Sequence, residues 1–330
     1  MTLRFALLGA GRMAKVHARA VASNPQARLV AVADAFEKAA MELASAYGAE
    51  VRTIDAIEKA KDIDAVIICT PTDTHADLIE RFAKAGKAIF CEKPIDLSVE
   101  RVEKCLAVVE KTKATLMVGF NRRFDPHFAA VRKAIDDGAI GTVEMVTITS
   151  RDPGAPPLDY IARSGGIFRD MTIHDFDMAR FLLGEEPVAV TAHASVLVDK
   201  KIGELGDYDS VSVILSTAQG KQCVISNSRR ATYGYDQRVE VHGSKGLLSA
   251  ANVHETTVTF AGAGGFTADP VQNFFLERYA AAYRNEVEAF IDAVVDGKKI
   301  SPDGNDGLRA QMLADAATES RESGKPVRIG

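Results

Sequence analysis

The stretch LRFALLGAGRMAKVHARAVAS, residues 3–23, decides the fold predicted for the first third of the chain. Its beginning, LRFALL, is almost entirely apolar and favours a buried strand. Its end, RMAKVHARAVAS, contains neither glycine nor proline and favours a helix. A glycine-rich GxGxxA turn lies between them. A turn of this kind between a strand and a helix is typical of the first βαβ unit of a Rossmann domain.

Each position of this turn has a physical role in binding a dinucleotide. Gly9 permits the tight turn, Gly11 lets the backbone approach a pyrophosphate, and Ala14 keeps the helix close to the strand. The helix begins at Arg12 and Met13, where backbone amides and the positive end of the helix dipole face the phosphates. An ordinary βα turn is the alternative, and the neighbouring segments argue against it.

A second strand, residues 29–33, ends at Asp34, about 25 residues after the first glycine. A carboxylate at this place accepts hydrogen bonds from the hydroxyls of a ribose. The next cation along the chain is Lys38, so a 2′-phosphate would meet a negative charge without a guanidinium. The pattern therefore predicts NAD rather than NADP as the cofactor.

Strands and helices continue to alternate as far as residue 121. Near-continuous apolar strands between helices indicate a parallel sheet that is covered on both faces. Ligands of such sheets bind beyond the carboxyl ends of the strands. The residues that follow the strands of this segment are therefore predicted to bind the cofactor, and they are Thr70, Pro71, His75, Glu92 and Lys93.

The chain changes character from residue 142 onward. Several segments alternate apolar and polar residues, as expected for an antiparallel sheet with one covered face. The predicted strands are 143–149, 188–198, 210–215, 222–227, 238–242 and 255–260. The sequence thus predicts an α/β Rossmann domain over residues 1–121. It is followed over 122–330 by an α+β domain with a large, mostly antiparallel open sheet.

Residues 165–183, GGIFRDMTIHDFDMARFLL, are predicted to form one helix that stops at Gly184. The segment is apolar on most sides, which indicates burial. Three polar residues, Asp170, His174 and Asp177, would nevertheless share one helix face. A carboxylate one turn from an imidazole can orient the ring for general base catalysis. A buried helix with a core histidine is the alternative.

Composition limits the class of protein. With 330 residues, a net charge of -5 and 47% hydrophobic residues, the chain is predicted to be globular, without nucleic acid or membrane as a partner. The cysteines show no CxxC pairing, which favours reduced thiols in the cytoplasm. The start of the chain does not read as a signal peptide, and no apolar run is long enough to span a bilayer.

Six motifs in this order resemble the Gfo/Idh/MocA oxidoreductase family: GAGRMA, TPTDTH, EKP, GFNRRFD, SRDP and GGIFRDMTIHDFDMARFL. The resemblance covers essentially the whole chain. It implies NAD-dependent oxidation of myo-inositol to 2-keto-myo-inositol and a homotetramer formed through the second domain's sheet. It also implies that Lys93, Asp170 and His174 are catalytic.

The chemistry expected of these three residues follows from charge. NAD takes a hydride from the alcohol carbon. A neutral His174 would take the hydroxyl proton, and Lys93 would stabilise the developing alkoxide. Asp170 would orient both the substrate and the imidazole.

A polyol also needs a site rich in hydrogen-bonding groups. These three residues are predicted to bind it together with Arg123, Asp152, Tyr235 and Tyr283; Tyr233 and Tyr279 are near-equal alternatives for the tyrosines. Some family members that oxidise inositol have His-Arg-Asn-Pro where this chain has Ser150-Arg151-Asp152-Pro153. The preferred polyol therefore remains open among inositol isomers and pyranose sugars.

Two other classes of function compete with this hypothesis. A metal site built on Asp170 and His174 has no supporting HExxH or cysteine motif, and hydride transfer to NAD needs no metal. We therefore predict no metal. A non-catalytic NAD-sensing protein could share the fold. Such a sensor would have no need of Lys93, Asp170 and His174 together.

Overall fold

The computed structural model describes residues 2–329, which form two compact units. The first unit contains residues 2–124 together with 282–311. The second contains residues 125–281 together with 312–329. Each unit is built around its own sheet.

The first unit contains a parallel sheet of six strands. They are β1 (Leu3–Leu8), β2 (Ala27–Ala33), β3 (Glu50–Val51), β4 (Ala65–Ile68), β5 (Ala88–Cys91) and β6 (Leu116–Val118). Their order in the sheet is β3-β2-β1-β4-β5-β6, so the direction of winding reverses between β1 and β4. Ligands of doubly wound sheets bind at this reversal. The predicted Rossmann domain is confirmed.

Helices cover both faces of this sheet. They are α1 (Arg12–Ser23), α2 (Glu37–Tyr47), α3 (Ile54–Lys59), α4 (His75–Lys84) and α5 (Val99–Thr112). Helix α2 ends at Gly48, which takes a left-handed conformation with φ +65° after the last turn. The first turn of α5 is capped by the Ser98 hydroxyl, which accepts a hydrogen bond from the amide of Arg101.

The second unit contains a sheet of seven strands and a separate hairpin. The strands are β7 (Val143–Arg151), β8 (Pro187–Ser195), β9 (Ser210–Thr217), β10 (Gln222–Ser228), β11 (Asp236–Gly243), β12 (Gly246–Ala250), β13 (Thr259–Gly262), β14 (Gly265–Ala268) and β15 (Val327–Arg328). The order of the large sheet is β12-β11-β7-β10-β9-β8-β15, and β13 pairs with β14. Only β7 and β10 pair in parallel within the large sheet. The mostly antiparallel α+β domain is therefore confirmed.

The remaining helices complete the chain. They are α6 (Pro126–Asp136), α7 (Leu158–Ile161), α8 (Ile167–Asp170), α9 (Thr172–Leu183), α10 (Lys200–Glu204), α11 (Phe275–Arg278), α12 (Ala280–Asp296) and α13 (Gly304–Ser323). Among residues 2–329, no helix combines the length and apolarity that crossing a membrane requires.

The first unit contains residues 282–311 in addition to the residues before 121 that the sequence assigned to the Rossmann domain. Phe290 of α12 packs against two strand residues, with ring centroids 6.0 Å from Phe5 and 5.9 Å from Phe90. Val287 and Ile291 belong to the same core. Burying such side chains stabilises the fold by about 1.5–3 kcal/mol each. The Rossmann unit is thus discontinuous in sequence.

The single helix predicted over residues 165–183 is also corrected, because α8 and α9 are separate helices. Met171 lies between them with φ −96° and ψ −58°. The hydroxyl of Thr172 donates both to the Ile167 carbonyl and to the side chain of Asn227. A hydroxyl that competes for backbone groups in this way disturbs a regular helix.

Candidate active site

The glycine turn after β1 leaves space at the beginning of α1. Gly9 has φ +100°, and a Cβ there would lie 2.7 Å from the carbonyl oxygen of Cys69. Only glycine therefore fits at that position. A Cβ on Gly11 would meet nothing within 4 Å. The backbone at Gly11 is thus open to a ligand, as a pyrophosphate requires.

The carboxylate of Asp34 is fixed beside the same turn. Its Oδ2 accepts a hydrogen bond from the amide of Ala10 at 2.6 Å, and its Oδ1 accepts one from the amide of Phe36 at 2.7 Å. Each carboxylate oxygen has a second lone pair. Asp34 can therefore accept hydrogen bonds from a ribose diol without losing the contacts that hold it. The turn and this carboxylate fit NAD.

The loop after β4 is braced by two side chains that the sequence assigned to cofactor binding. The hydroxyl of Thr70 lies 2.6 Å from that of Thr74. His75 is buried, with Nδ1 2.8 Å from the carbonyl oxygen of Pro94 and Nε2 2.8 Å from that of Thr70. Both nitrogens of this ring therefore already face protein oxygens. The His75 ring therefore joins two loops, and the binding of the cofactor by His75 stays a prediction.

Glu92 and Lys93 follow β5 and differ in burial. The Glu92 carboxylate is turned into the protein, where its Oε1 lies 2.6 Å from Nε2 of His17. The side chain is thus engaged by α1, and the contact of Glu92 with the cofactor stays a prediction. Lys93 is half-buried, at the carboxyl end of its strand where the predicted crevice lies.

Asp170, at the end of α8, is held on both of its oxygens. Its Oδ1 accepts a hydrogen bond from the Tyr160 hydroxyl at 2.6 Å, and its Oδ2 accepts from the Arg229 guanidinium at 3.3 Å. Arg229 is 1% exposed and also lies 3.6 Å from Asp207. Burial first, and then the charge of Asp170, raise the pKa of Tyr160 far above its ordinary value. Tyr160 is therefore a permanent donor, and Asp170 is a fixed acceptor.

His174 is half-buried on an otherwise buried helix. Of the twelve residues of α9, ten are buried, and the other two are His174 and Phe181. The burial predicted for this segment is confirmed. Asp177, on the same helix, is 1% exposed and lies 3.7 Å from Arg180 in an ion pair.

The residues predicted to bind a polyol are divided between the two units. In the second unit, Asp152 follows β7, where its amide donates to the carbonyl of Ser228. Tyr235 is buried and packs edge-on against Tyr279, with centroids 5.9 Å apart. The alternative Tyr233 is half exposed and donates its hydroxyl proton to Asp236 at 2.6 Å.

Besides Lys93, two of these predicted residues lie in the first unit and have structural contacts there. Arg123 donates to the Asp306 carboxylate at 3.0 Å and to the Ser301 hydroxyl at 3.2 Å. Tyr283, on α12, is buried edge-on against His17, with centroids 6.1 Å apart. This corrects the assignment of Tyr283 to the second domain. Its neighbour is a core histidine of the Rossmann unit.

Sequence reasoning missed the groups that hold Asp170. Tyr160, Asp207 and Arg229 come from three separated parts of the chain and belong to no motif. The only local signal was the pair of arginines directly after β10, in the sequence SNSRR, of which Arg229 is the first. Whether such an arginine is buried beside a carboxylate depends on the packing of the second unit.

Comparisons with known proteins agree with this geometry. Residues 3–120 match the family model "Oxidoreductase family, NAD-binding Rossmann fold", and residues 128–249 match "GFO/IDH/MocA C-terminal domain". The NAD cofactor predicted from the sequence is confirmed by the first of these matches and by relatives that bind it.

Three relatives illustrate the similarity. Inositol 2-dehydrogenase of Rhizobium meliloti is 71% identical over 329 residues, which cover 100% of both chains. A crystal structure of a myo-inositol dehydrogenase from Corynebacterium glutamicum aligns with a TM-score of 0.96, 47% identity and coverage of 100% of this chain and 99% of that one. Scyllo-inositol dehydrogenase from Lactobacillus casei, solved with bound NAD(H) and scyllo-inositol, aligns with a TM-score of 0.93, 29% identity and 99% coverage of both chains. The chain therefore belongs to the Gfo/Idh/MocA family of NAD-binding oxidoreductases.

Proposed function

We propose that this protein oxidises myo-inositol to 2-keto-myo-inositol with NAD. The observation that carries the proposal is the 71% identity, over the full length of both chains, to an inositol 2-dehydrogenase. The fixed Asp170 and the half-buried His174 support it, because these residues have the chemistry that an alcohol dehydrogenation needs.

The roles of the residues follow from their contacts. Bound NAD accepts the hydride of the alcohol carbon. His174 takes the hydroxyl proton, and Lys93 stabilises the negative charge that develops on the oxygen. Asp170, held by Tyr160 and Arg229, orients the substrate. This assignment of roles rests on the motifs and on the surroundings of each residue within its own unit.

Asp34 is proposed to select NAD over NADP. A 2′-phosphate would approach a carboxylate already fixed by two backbone amides and would be repelled. The residues of the turn, Gly9 and Gly11, would receive the pyrophosphate.

The substrate isomer, the assembly and the location belong to the same proposal. Asp152 lies beside β7, where some relatives have asparagine, so scyllo-inositol, another inositol isomer or a pyranose sugar is the runner-up substrate. We propose a homotetramer that uses the exposed face of the large sheet. The four cysteines form no disulfide, which supports a reducing compartment such as the cytoplasm.

The first experiment measures NADH absorbance when the protein is mixed with NAD and a panel of polyols. We expect turnover of myo-inositol with NAD, and a much lower kcat/KM with NADP. Equal values for the two cofactors would contradict the role of Asp34. NAD binding without turnover of any polyol would instead identify a non-catalytic NAD-binding protein.

The second experiment tests the general base. His174→Ala should lower kcat by about 10²–10⁴-fold while NAD affinity stays unchanged, and it should remove the rise of kcat/KM from acid to neutral pH. His127→Ala is the matched control, since His127 is an exposed histidine of the second unit. Lys93→Met should lower kcat by a comparable factor. In the double variant, kcat should fall by less than the product of the two single factors. Near-normal turnover of His174→Ala would overturn the assignment.

A further inference from the structure

A cluster of three titratable side chains lies buried beneath the turn that carries Lys93. His17 comes from α1, Glu92 follows β5, and Glu286 comes from α12, all within the first unit. The side chains of His17 and Glu286 are 0% exposed, and that of Glu92 is 12% exposed. The reaction proposed above uses neither His17 nor Glu286.

One of the two side-chain pairs in this cluster is hydrogen-bonded and the other is not. Nε2 of His17 lies 2.6 Å from Oε1 of Glu92, which is a short hydrogen bond. Nδ1 of His17 lies 4.0 Å from Oε1 of Glu286. Among the described residues, neither Nδ1 nor either oxygen of Glu286 has a hydrogen-bond partner. Buried polar atoms without partners are costly, so a proton shared between these two groups would stabilise the cluster.

The surroundings favour a protonated Glu286. Burial first, and then the charge of Glu92, raise the pKa of Glu286 well above its ordinary value. The other neighbours of this cluster are the Tyr283 ring on α12, which packs against His17, and the Cys69 thiol after β4. Burial and then Glu92 raise the pKa of Cys69, so the thiol stays neutral. Within residues 2–329, no lysine or arginine pairs with Glu286.

We propose that Glu286 is protonated and that its hydroxyl donates a hydrogen bond to Nδ1 of His17. Nε2 of His17 in turn donates a hydrogen bond to Glu92. This chain of three groups fixes the Glu92 carboxylate and, through it, the backbone of Lys93. A shift of about 1 Å brings the 4.0 Å separation to hydrogen-bond distance. His17 and Glu286 are thus positioning residues. The expected effect on catalysis rests on the function proposed for Lys93. The protonation of Glu286 does not depend on that function.

A divalent metal ion is the main rival occupant. One imidazole and two carboxylates are ligands that zinc accepts, and the three donor atoms lie within 4.8 Å of one another. Two ligands of a tetrahedral zinc ion lie roughly 3.3 Å apart, given bonds of about 2.0–2.1 Å. The 2.6 Å separation of His17 and Glu92 is shorter than this and indicates a hydrogen bond instead.

Thermal unfolding at several pH values tests the proton without reference to activity. Because the pKa of Glu286 is raised in the folded state, its contribution to stability is present below the ordinary carboxyl pKa and declines as pH rises toward the folded value. A glutamine side chain cannot ionise, and its amide NH2 can still donate a hydrogen bond to Nδ1 of His17. Glu286→Gln should therefore gain about 2–5 °C in Tm relative to wild type between pH 5 and pH 9.

Glu288→Gln is the matched control, since Glu288 is exposed on the same helix. Its difference from wild type should not change with pH. A pH-independent difference for Glu286→Gln would overturn the proposal. Metal analysis of the purified protein that finds about one ion per chain, with Glu286→Gln destabilised at every pH, would also overturn it.

Kinetics test the positioning role. Glu286→Leu should lower kcat by about tenfold or more with unchanged NAD affinity, and Glu286→Gln should restore kcat to within about threefold of wild type. Wild-type kcat in a folded Glu286→Leu variant would overturn the positioning role. If wild type turns over no polyol, the function proposed above fails, and the unfolding series still decides where the proton lies.

Discussion

At the scale of single residues, Asp170 shows how the carboxylate that we propose to be catalytic is given one orientation. Tyr160 approaches one oxygen and Arg229 approaches the other. Both partners donate to the charged carboxylate, so the Asp170 side chain cannot rotate without losing one of these hydrogen bonds. Hydrogen bonds of this kind contribute about 1.5–3 kcal/mol each.

Tyr160→Phe tests this arrangement because it removes one donor and keeps the ring. We expect kcat to fall by roughly tenfold or more, since a loss of about 1.5 kcal/mol corresponds to that factor. Tyr208→Phe is the control: the ring of Tyr208 packs under Arg321 in the same unit, 4.7 Å from the guanidinium carbon. Steady-state kinetics with myo-inositol provide the measurement. Unchanged kcat in Tyr160→Phe would show that Arg229 alone orients Asp170.

At the scale of elements, the beginning of α6 depends on a buried ion pair. Asp125 caps α6 by accepting from the amides of His127 and Phe128. It also accepts from Arg278 of α11, at 2.5 Å, and both side chains are 1% exposed. Arg278 is further enclosed by aromatic rings at its guanidinium. One carboxylate therefore joins two helices that are distant in sequence.

Removing the cation from this pair should destabilise the second unit. Arg278→Met leaves the Asp125 charge buried without its counter-ion, which costs about 3–5 kcal/mol. We expect a much lower denaturation midpoint in urea. Arg284→Met is the control, because Arg284 is exposed on α12 and should change the midpoint little. A midpoint like that of wild type for Arg278→Met would mean that the two amides are enough to stabilise the carboxylate.

At the scale of the whole molecule, one face of the sheet in the second unit has solvent-exposed side chains in the single chain. Residues along β9 alternate between buried and exposed, and Ile214 on its outer face is 49% exposed. Met145 on β7 is 48% exposed. Apolar side chains on an open sheet favour association with another copy of the chain.

The proposed homotetramer can be measured directly. Light scattering at micromolar concentration should report about four chains, that is, about four times the 35.4 kDa mass of one chain. Ile214→Asp should reduce the mass, because it places a charge on the buried interface. Lys38→Asp, an exposed position in the first unit, is the control. A wild-type monomer would contradict the proposal.

Several elements could not be predicted because their signals are short or lie outside their own segments. The two-residue strand β3 and the helix α3 have too few residues for a hydrophobic period. Strands β12 and β14 were missed because neither has a buried side chain, which leaves no apolar alternation to identify them. The break at Met171 depends on Asn227, more than fifty residues away.

The features that could be predicted from the amino-acid sequence are those that depend on neighbours along the chain. The GxGxxA turn, Asp34 and the strand–helix alternation identify the Rossmann unit, because glycine conformation and apolar period are local properties. The EKP and DxxxHDxD motifs identified the family.

Only the tertiary structure decided which groups meet across the chain. It placed Glu286 beside His17 and Glu92, and it buried Arg229 against Asp170. It also returned residues 282–311 to the first unit. The reason is that burial and charge pairing depend on distances in space, and these partners are separated by tens to hundreds of residues along the chain.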